Sequence, residues 1–231
     1  MIGVTIGDKH TYHDWGLIMT SKAISPPAPQ LNLVSIPLRD GSLDLTEALT
    51  GDVKYNNRVI SINLAMIDSR ENWSARISEI QNYLHGQRQK IVFDDDKAFY
   101  YIGRVVVNEW TTDRSIGNVT LECTVEPYKY DILSSADDWL WDTFDFETGY
   151  ITTASNVLVQ GNETIVILGR KKKTYPTIIA SESMQVTLDG TTYQLSSGTN
   201  KLYTMLLHEG ENELIFTGNG MVTVEYRGGN L

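Results

Sequence analysis

The chain has 231 residues, 41% of them hydrophobic, and its 19 Lys and Arg against 29 Asp and Glu give a net charge of −10 at pH 7. This apolar fraction can form a buried core, and the length fits one large β domain or two domains of about 100 residues. The negative charge argues against binding to a nucleic-acid backbone or to an anionic membrane surface.

The apolar runs are too short for a membrane span, since the longest have about four or five residues where a spanning helix needs roughly 20. The first eight residues lack both the basic start and the apolar stretch of a signal peptide. We therefore predict neither a spanning helix nor an export signal.

The first motif along the chain contains residue types that bind metals: His10, His13 and Asp14 lie within five residues of each other. Imidazole and carboxylate groups are zinc ligands, so a metal-dependent enzyme is one interpretation. The neighbouring residues are typical of strands and turns, and no further ligand can be identified. An ordinary turn between the first two strands is the preferred interpretation.

Alternation of apolar and polar residues is the main structural pattern and predicts a mainly β protein. It is clearest at residues 60–66, 119–125 and 221–226, each of which we expect to form a half-buried strand. Asp189-Gly190 and Gly218-Asn219-Gly220 are typical of hairpin turns between strands. The second of these is predicted to precede the last strand.

One amphipathic helix is predicted over residues 70–85. Four apolar residues recur at spacings of four, three and four, which places them on one helix face: Trp73, Ile77, Ile80 and Leu84. Asp68 and Glu71 resemble a capping box, and Gly86 is a suitable C-terminal stop. The helix is expected to pack on a sheet.

Three adjacent carboxylates follow a predicted strand at Asp94, Asp95 and Asp96. Such oxygens could bind a hard cation, but the spacing of a calcium loop is absent. A solvated hairpin turn is the preferred interpretation.

The single cysteine, Cys123, excludes an internal disulfide and a cysteine-based zinc site. It falls on the apolar face of the strand predicted at 119–125. We expect a buried core residue rather than a catalytic thiol, which would need a partner that the sequence does not identify.

A change in charge near residue 130 predicts two domains. Residues 1–130 carry 13 Lys and Arg against 16 Asp and Glu, net −3, and residues 131–231 carry 6 against 13, net −7. Residues 131–147 hold six acids and no base, which is typical of a solvated linker. From residue 151 onward, short strands and glycine-containing turns indicate a β-sandwich.

Two motifs in the second half could bind a partner. The run Arg170, Lys171, Lys172 and Lys173 is read as a solvated loop or, alternatively, as a contact with an acidic surface of a partner or a second copy. Trp139 and Trp141 are expected to anchor the linker, with stacking on a sugar as the alternative. Motifs for a catalytic nucleophile or a phosphate-binding loop are not found, so we predict no enzyme activity and no cofactor.

Several segments taken together resemble the distal tail protein (Dit) family of bacteriophages with long, non-contractile tails. Residues 35–45, which include Ile-Pro-Leu-Arg-Asp-Gly at 36–41, are similar to a family motif in which Leu38 replaces the usual glycine. The further segments that carry the resemblance are residues 55–58, the 73–84 helix, and residues 100–105, 121–130, 175–178, 210–214 and 222–227.

The resemblance implies a structural virion protein at the phage tail tip, made in the host cytoplasm. Residues 1–130 would be a ring-forming β-sandwich of a homo-hexamer, and residues 131–231 an outer, galectin-like β-sandwich. The ring would join the tail tube protein to the tail-associated lysin or tip protein, and a receptor-binding protein could attach outside. DNA would pass through the ring, past acidic walls that repel it.

The resemblance also implies a hairpin that projects from the ring. Residues 94–97 and residues 109–119 are the two candidates for it. The alternative function, from a different class, is a carbohydrate-binding or adhesion module that recognises a saccharide of the host surface.

Overall fold

A computed structural model describes residues 3–48, 50–66, 69–113, 116–132 and 154–231. The predicted class, mainly β with one amphipathic helix, is confirmed. None of the helices in the described ranges is long and apolar enough to cross a membrane. The chain divides into two compact units, the first comprising residues up to Asp96 together with Tyr101–Pro127, and the second comprising Lys97–Tyr100 with Tyr128–Asn230. The ring-forming and galectin-like assignments stay predictions.

The first unit is built on antiparallel strands and two helices. The strands are β1 (Val4–Ile6), β2 (Lys9–His10), β3 (Leu17–Ile24), β4 (Leu33–Ser35), β5 (Ser42–Asp44), β6 (Arg58–Met66), β7 (Arg88–Phe93), β8 (Phe99–Thr112) and β9 (Gly117–Val125). The helices are α1 (Thr11–Trp15) and α2 (Trp73–Leu84), the latter preceded by a 3-10 turn at Arg70–Asn72. Seven strands form one sheet in the order β2-β1-β7-β8-β9-β6-β3, and β4 pairs with β5 alone.

The core of this unit lies between one face of the sheet and helix α2. In β6 every second residue is buried, and Ile62 lies opposite Leu121 of the neighbouring strand β9. Burying one such side chain stabilises the fold by roughly 1.5–3 kcal/mol. The four apolar residues predicted to share a face of α2 are all buried in the same cluster: Trp73, Ile77, Ile80 and Leu84.

The ends of α2 agree in part with the sequence. Gly86 follows the helix with φ +75°, a conformation that favours glycine, which fits its predicted role as a stop. The helix begins at Trp73 rather than at residue 70, because residues 70–72 form the 3-10 turn. Asp68, the other half of the predicted capping box, lies outside the described residues.

Cys123 is a core residue of β9, as predicted, with no exposed surface. Burial raises the pKa of its thiol to about 12. The group therefore stays protonated at neutral pH, and the reactive thiolate is scarcely populated.

In its described residues the second unit contains eight strands of its own. They are β10 (Lys129–Asp131), β11 (Val157–Gly169), β12 (Thr177–Ala180), β13 (Met184–Leu188), β14 (Thr191–Leu195), β15 (Gly198–Lys201), β16 (Gly210–Glu225) and β17 (Gly229–Asn230). A sheet runs in the order β14-β13-β16-β12-β15, with β11 paired along the other side of β16. Strand β10 pairs with β17 and with Phe99 and Tyr100 at the start of β8.

Strand β16 continues through the residues where the sequence predicted a turn. Asp189-Gly190 does form the turn between β13 and β14, but residues 218–220 lie inside β16, so that prediction was wrong. Before residues 218–220 strand β16 pairs with β13, and after them with β12. A Cβ on Gly218 would lie 2.6 Å from the Cβ of Met184, and the φ of Gly218 is +148°. Glycine here serves a close approach between strands.

Candidate interaction surfaces

The three carboxylates of residues 94–96 lie in the turn between β7 and β8, and at least two of them are bound within the first unit. Asp94 Oδ2 accepts a hydrogen bond from the Gly3 amide at 2.7 Å and lies 3.1 Å from His10 Nε2. Asp95 forms an ion pair with Lys22 Nζ at 2.6 Å. These contacts hold the turn against the sheet, and its role as an interaction site stays a prediction.

His10, His13 and Asp14 form a helix start rather than a simple turn between strands. His10 Nδ1 accepts hydrogen bonds from the amides of Tyr12 and His13, at 3.1 and 3.2 Å, and so caps α1. Asp14 Oδ2 accepts from the His10 amide at 2.6 Å. Within the ranges that the structure covers, no three His, Cys, Asp or Glu side chains are grouped to hold a metal ion.

The basic run, interpreted from the sequence as a solvated loop or alternatively as a docking surface, makes contacts inside the second unit. Arg170 donates from its Nη2 to Asp131 Oδ1 at 3.0 Å, and only 12% of its side chain is exposed. Lys172 Nζ donates to the Tyr130 hydroxyl at 2.7 Å. Lys171 pairs with Glu209 at 3.0 Å, nearer to the solvent. Lys173, also half-buried, belongs to the same segment.

Asp131 is the acid on which this cluster centres. Burial raises the pKa of its carboxyl, and the positive charge of Arg170, followed by those of Arg227 and Lys129, acts in the opposite direction. Arg170 is therefore the cation that most opposes the effect of burial on the pKa of this partly buried carboxyl. Trp139 and Trp141, the other predicted partners in this half, lie outside the described residues.

A long hairpin extends from the first unit between β3 and β6. We call residues 25–57 the arm; Leu49 is not described. At its root the Ser25 amide donates to the Val59 carbonyl at 3.0 Å, and further out the Gln30 amide donates to the Lys54 carbonyl at 2.7 Å. Strands β4 and β5 form its outer part. None of the described arm residues is buried.

The outer part of the arm exposes apolar side chains on both faces. Val34 lies directly opposite Leu43, so these two share one face, while Leu33 points to the other. Leu33 is 52% exposed. The exposed apolar residues of the arm are Leu31, Leu33, Val34, Ile36, Leu38 and Leu43. Exposed apolar side chains grouped on one hairpin are typical of an interaction surface.

Leu38 stands at the tip of the arm, fully exposed and with φ +64°. A non-glycine residue in this left-handed conformation is disfavoured by about 1–2 kcal/mol. Leucine at this position thus combines strain with exposure of an apolar side chain. Both are unfavourable in an isolated chain, so the residue has the properties of a contact point.

The arm was not recognised from the sequence, where residues 35–45 were used only for a family resemblance. Of the two hairpins proposed instead, residues 94–97 carry the bound turn described above. Within residues 109–119, positions 114 and 115 lie outside the described residues. The others belong to β8, β9 and the turn between them, where the ring of Trp110 packs edge-on against that of Trp73 at 6.2 Å. The sequence features that could have indicated the arm are the three prolines near its root and the apolar residues on both of its strands.

The fold of the chain is that of a phage distal tail hub protein. One similar structure is the crystal structure of the SPP1 Dit protein (gp 19.1), described as a paradigm of the hub adsorption apparatus of phages that infect Gram-positive bacteria. The match has a TM-score of 0.64 at 14% sequence identity and covers 100% of both chains. No protein-family model and no curated protein sequence matches the chain.

Proposed function

We propose that this chain is a distal tail hub protein of a long-tailed bacteriophage, which assembles as a hexameric ring at the tail tip. The observation that carries the proposal is the full-length match to the SPP1 Dit fold. The ring would join the tail tube protein to the tail-associated lysin or tip protein, with receptor-binding proteins outside.

The arm supports an assembly role, because its apolar residues lack a core of their own chain to pack against. Leu33, Val34 and Leu43 are exposed although their residue types are those of buried strands. We assign the projecting hairpin of the ring to the arm instead of residues 94–97 or 109–119. Residues 1–130 would then form the ring through the arm, and residues 131–231 the outer, galectin-like domain.

A ring follows if the arm of one copy covers a different surface on the next copy. Such a head-to-tail contact repeats around an axis and closes, whereas an arm that pairs with an identical arm stops at a dimer. DNA would pass through the centre. The net charge of −10 is compatible with a channel that does not retain DNA.

Light scattering on the purified full chain tests the assembly. We expect a mass near six times that of the 26.0 kDa chain, reached as the protein concentration rises. The double variant Leu33→Ser, Leu43→Ser should shift the mass towards the monomer, because it removes apolar area from both faces of the arm.

Leu158→Ser is the matched control, since Leu158 of strand β11 is 53% exposed and Leu33 is 52% exposed. It should leave the assembly unchanged. A dimer would contradict the head-to-tail ring, and a monomer at every concentration would contradict self-assembly. An arm variant that assembles like the unchanged protein would show that the arm is not the contact.

A further inference from the structure

Two exposed tyrosines of the second unit lie at the same end of one strand pair. Tyr175 lies two residues before β12 and Tyr203 two residues after β15. The two strands are antiparallel with Thr177 opposite Lys201, so both tyrosines flank the same end of the pair. Their exposed fractions are 52% and 72%.

Other tyrosines of this unit use their hydroxyls inside the fold. Tyr193 donates to the Thr204 carbonyl at 3.2 Å, and Tyr226 to the Leu168 carbonyl at 3.2 Å. In the described part of the chain, the hydroxyls of Tyr175 and Tyr203 have no such partner. Large aromatic rings are usually packed away from water, so two exposed ones at the same end of a strand pair indicate a contact surface.

A row of polar side chains crosses the strands beside these rings. Thr177 lies between Lys201 of β15 and Glu225 of β16 in the strand register. Register partners point to the same face of a sheet, and the next residue of β12, Ile178, is buried on the opposite face. Lys201, Thr177 and Glu225 therefore form one outward row of donors and acceptors.

The charges of this row cancel, because one lysine faces one glutamate across Thr177. An anionic polymer such as a teichoic acid would meet a carboxylate here, and a nucleic acid would meet the same repulsion. A neutral ligand with many hydroxyl groups suits the row, since an ammonium donates to hydroxyls, a carboxylate accepts from them, and Thr177 can do both.

We propose that Tyr175, Tyr203 and the row Lys201, Thr177 and Glu225 form a binding site for a neutral saccharide. The apolar C–H face of a pyranose ring packs on an aromatic ring, and the sugar hydroxyls reach the polar row. The site lies in the second unit and goes beyond the hub role. Loss of saccharide binding would leave the assembly measured by light scattering unaffected.

Saturation-transfer NMR on the intact protein tests the site, with lactose, maltotetraose and chitotetraose as neutral probes and poly(glycerol phosphate) as the charged probe. We expect at least one neutral probe to bind. The double variant Tyr175→Ala, Tyr203→Ala should weaken that binding about tenfold or more, because each aromatic contact is lost. Tyr175→Phe with Tyr203→Phe keeps both rings and should stay within about threefold.

Leu158→Ala is the matched control, an equally exposed apolar residue on β11, and should leave the binding unchanged. Thermal melting of each variant verifies that it is folded. The proposal is overturned if none of the neutral probes binds at about 10 mM. It is equally overturned if the double alanine variant binds as well as the unchanged protein, or if only the charged probe binds.

Discussion

The basic run at residues 170–173 and the arm differ in how far their own unit satisfies their side chains. Four adjacent cations in an acidic chain are typical of a solvated loop or of a docking surface, yet Arg170 is bound to a partly buried carboxylate of its own unit. The arm carries an ordinary alternation of apolar residues, yet its described residues include no buried one. A candidate interaction surface is therefore recognised by apolar side chains that the rest of the chain leaves exposed. An unusual composition is a weaker indication.

The difference follows from how each group gains stability. A charge near the surface can be satisfied by a single opposite charge of the same chain, as Asp131 does for Arg170. An apolar side chain gains stability only when many atoms cover it. A short hairpin without a third layer cannot provide that cover.

The largest effect is expected for Arg170→Met, which should lower the free energy of unfolding by about 2 kcal/mol. The variant leaves the Asp131 carboxylate buried without its nearest cation. Urea unfolding of the full chain measures the change. Arg170→Lys keeps the positive charge but not the several N–H donors of the guanidinium group. Its free energy of unfolding should therefore fall less than that of Arg170→Met. If Arg170→Met unfolds like the unchanged protein, the run is not a structural element and its docking role regains support.

The second prediction concerns the pH dependence of Arg170→Met. Burial raises the pKa of Asp131 in the folded chain above its unfolded value of about 3.9. The ionised carboxylate therefore costs stability at neutral pH, and this cost decreases as the pH falls through the folded pKa. Without Arg170 the folded pKa rises further. The stability deficit of Arg170→Met should thus shrink on acidification from neutral pH, as unfolding at several pH values would show; a constant deficit would contradict it.

Leu38→Gly should stabilise the monomer and weaken its self-association. Relief of the left-handed backbone strain exceeds the entropy that glycine loses, so the monomer should gain about 0.5 kcal/mol of stability. Self-association should weaken, because the apolar tip is removed. Thermal melting and light scattering measure the two effects, and Leu38→Ala, which keeps the strain, separates them. Unchanged assembly would exclude the tip as a contact point.

The smallest effect is expected for Lys171→Ala, a matched change within the basic run. Its ion pair with Glu209 has side chains that are about half exposed, and such pairs contribute less than about 1 kcal/mol. Unfolding should shift by no more than about 0.5 kcal/mol. A salt-dependent loss of assembly would instead support the docking interpretation of this run.

The parts of the fold that the sequence predicts are those with a local cause. Strand β6 and helix α2 have apolar residues at the spacing of one face, and that spacing is the same whatever covers it. Gly218 and Gly220 were misread, because a turn and a close approach to Met184 require the same residue type. The close approach depends on a strand that lies more than 30 residues away in the sequence, so the local pattern does not reveal it.

The candidate surfaces were harder to predict for the same reason. Asp131 lies 39 residues from Arg170 along the chain, so the ion pair has no local signal. The apolar residues of the arm alternate as they would in a core strand, and only the fold shows that their own chain does not cover them. Tyr175 and Tyr203 are far apart in sequence, and only the pairing of β12 with β15 places both at the same end of a strand pair.

The long strand β16 also determines how the second unit would respond to mechanical tension. Strand β11 is bonded to it along its entire length, from Val157 opposite Val222 to Gly169 opposite Gly210. Because the two strands are antiparallel, a pull that draws them along each other in opposite directions loads the whole ladder in shear, and many hydrogen bonds must break together. A pull at one end of the pair would open it bond by bond. The direction in which force enters this unit would therefore decide how much tension it withstands.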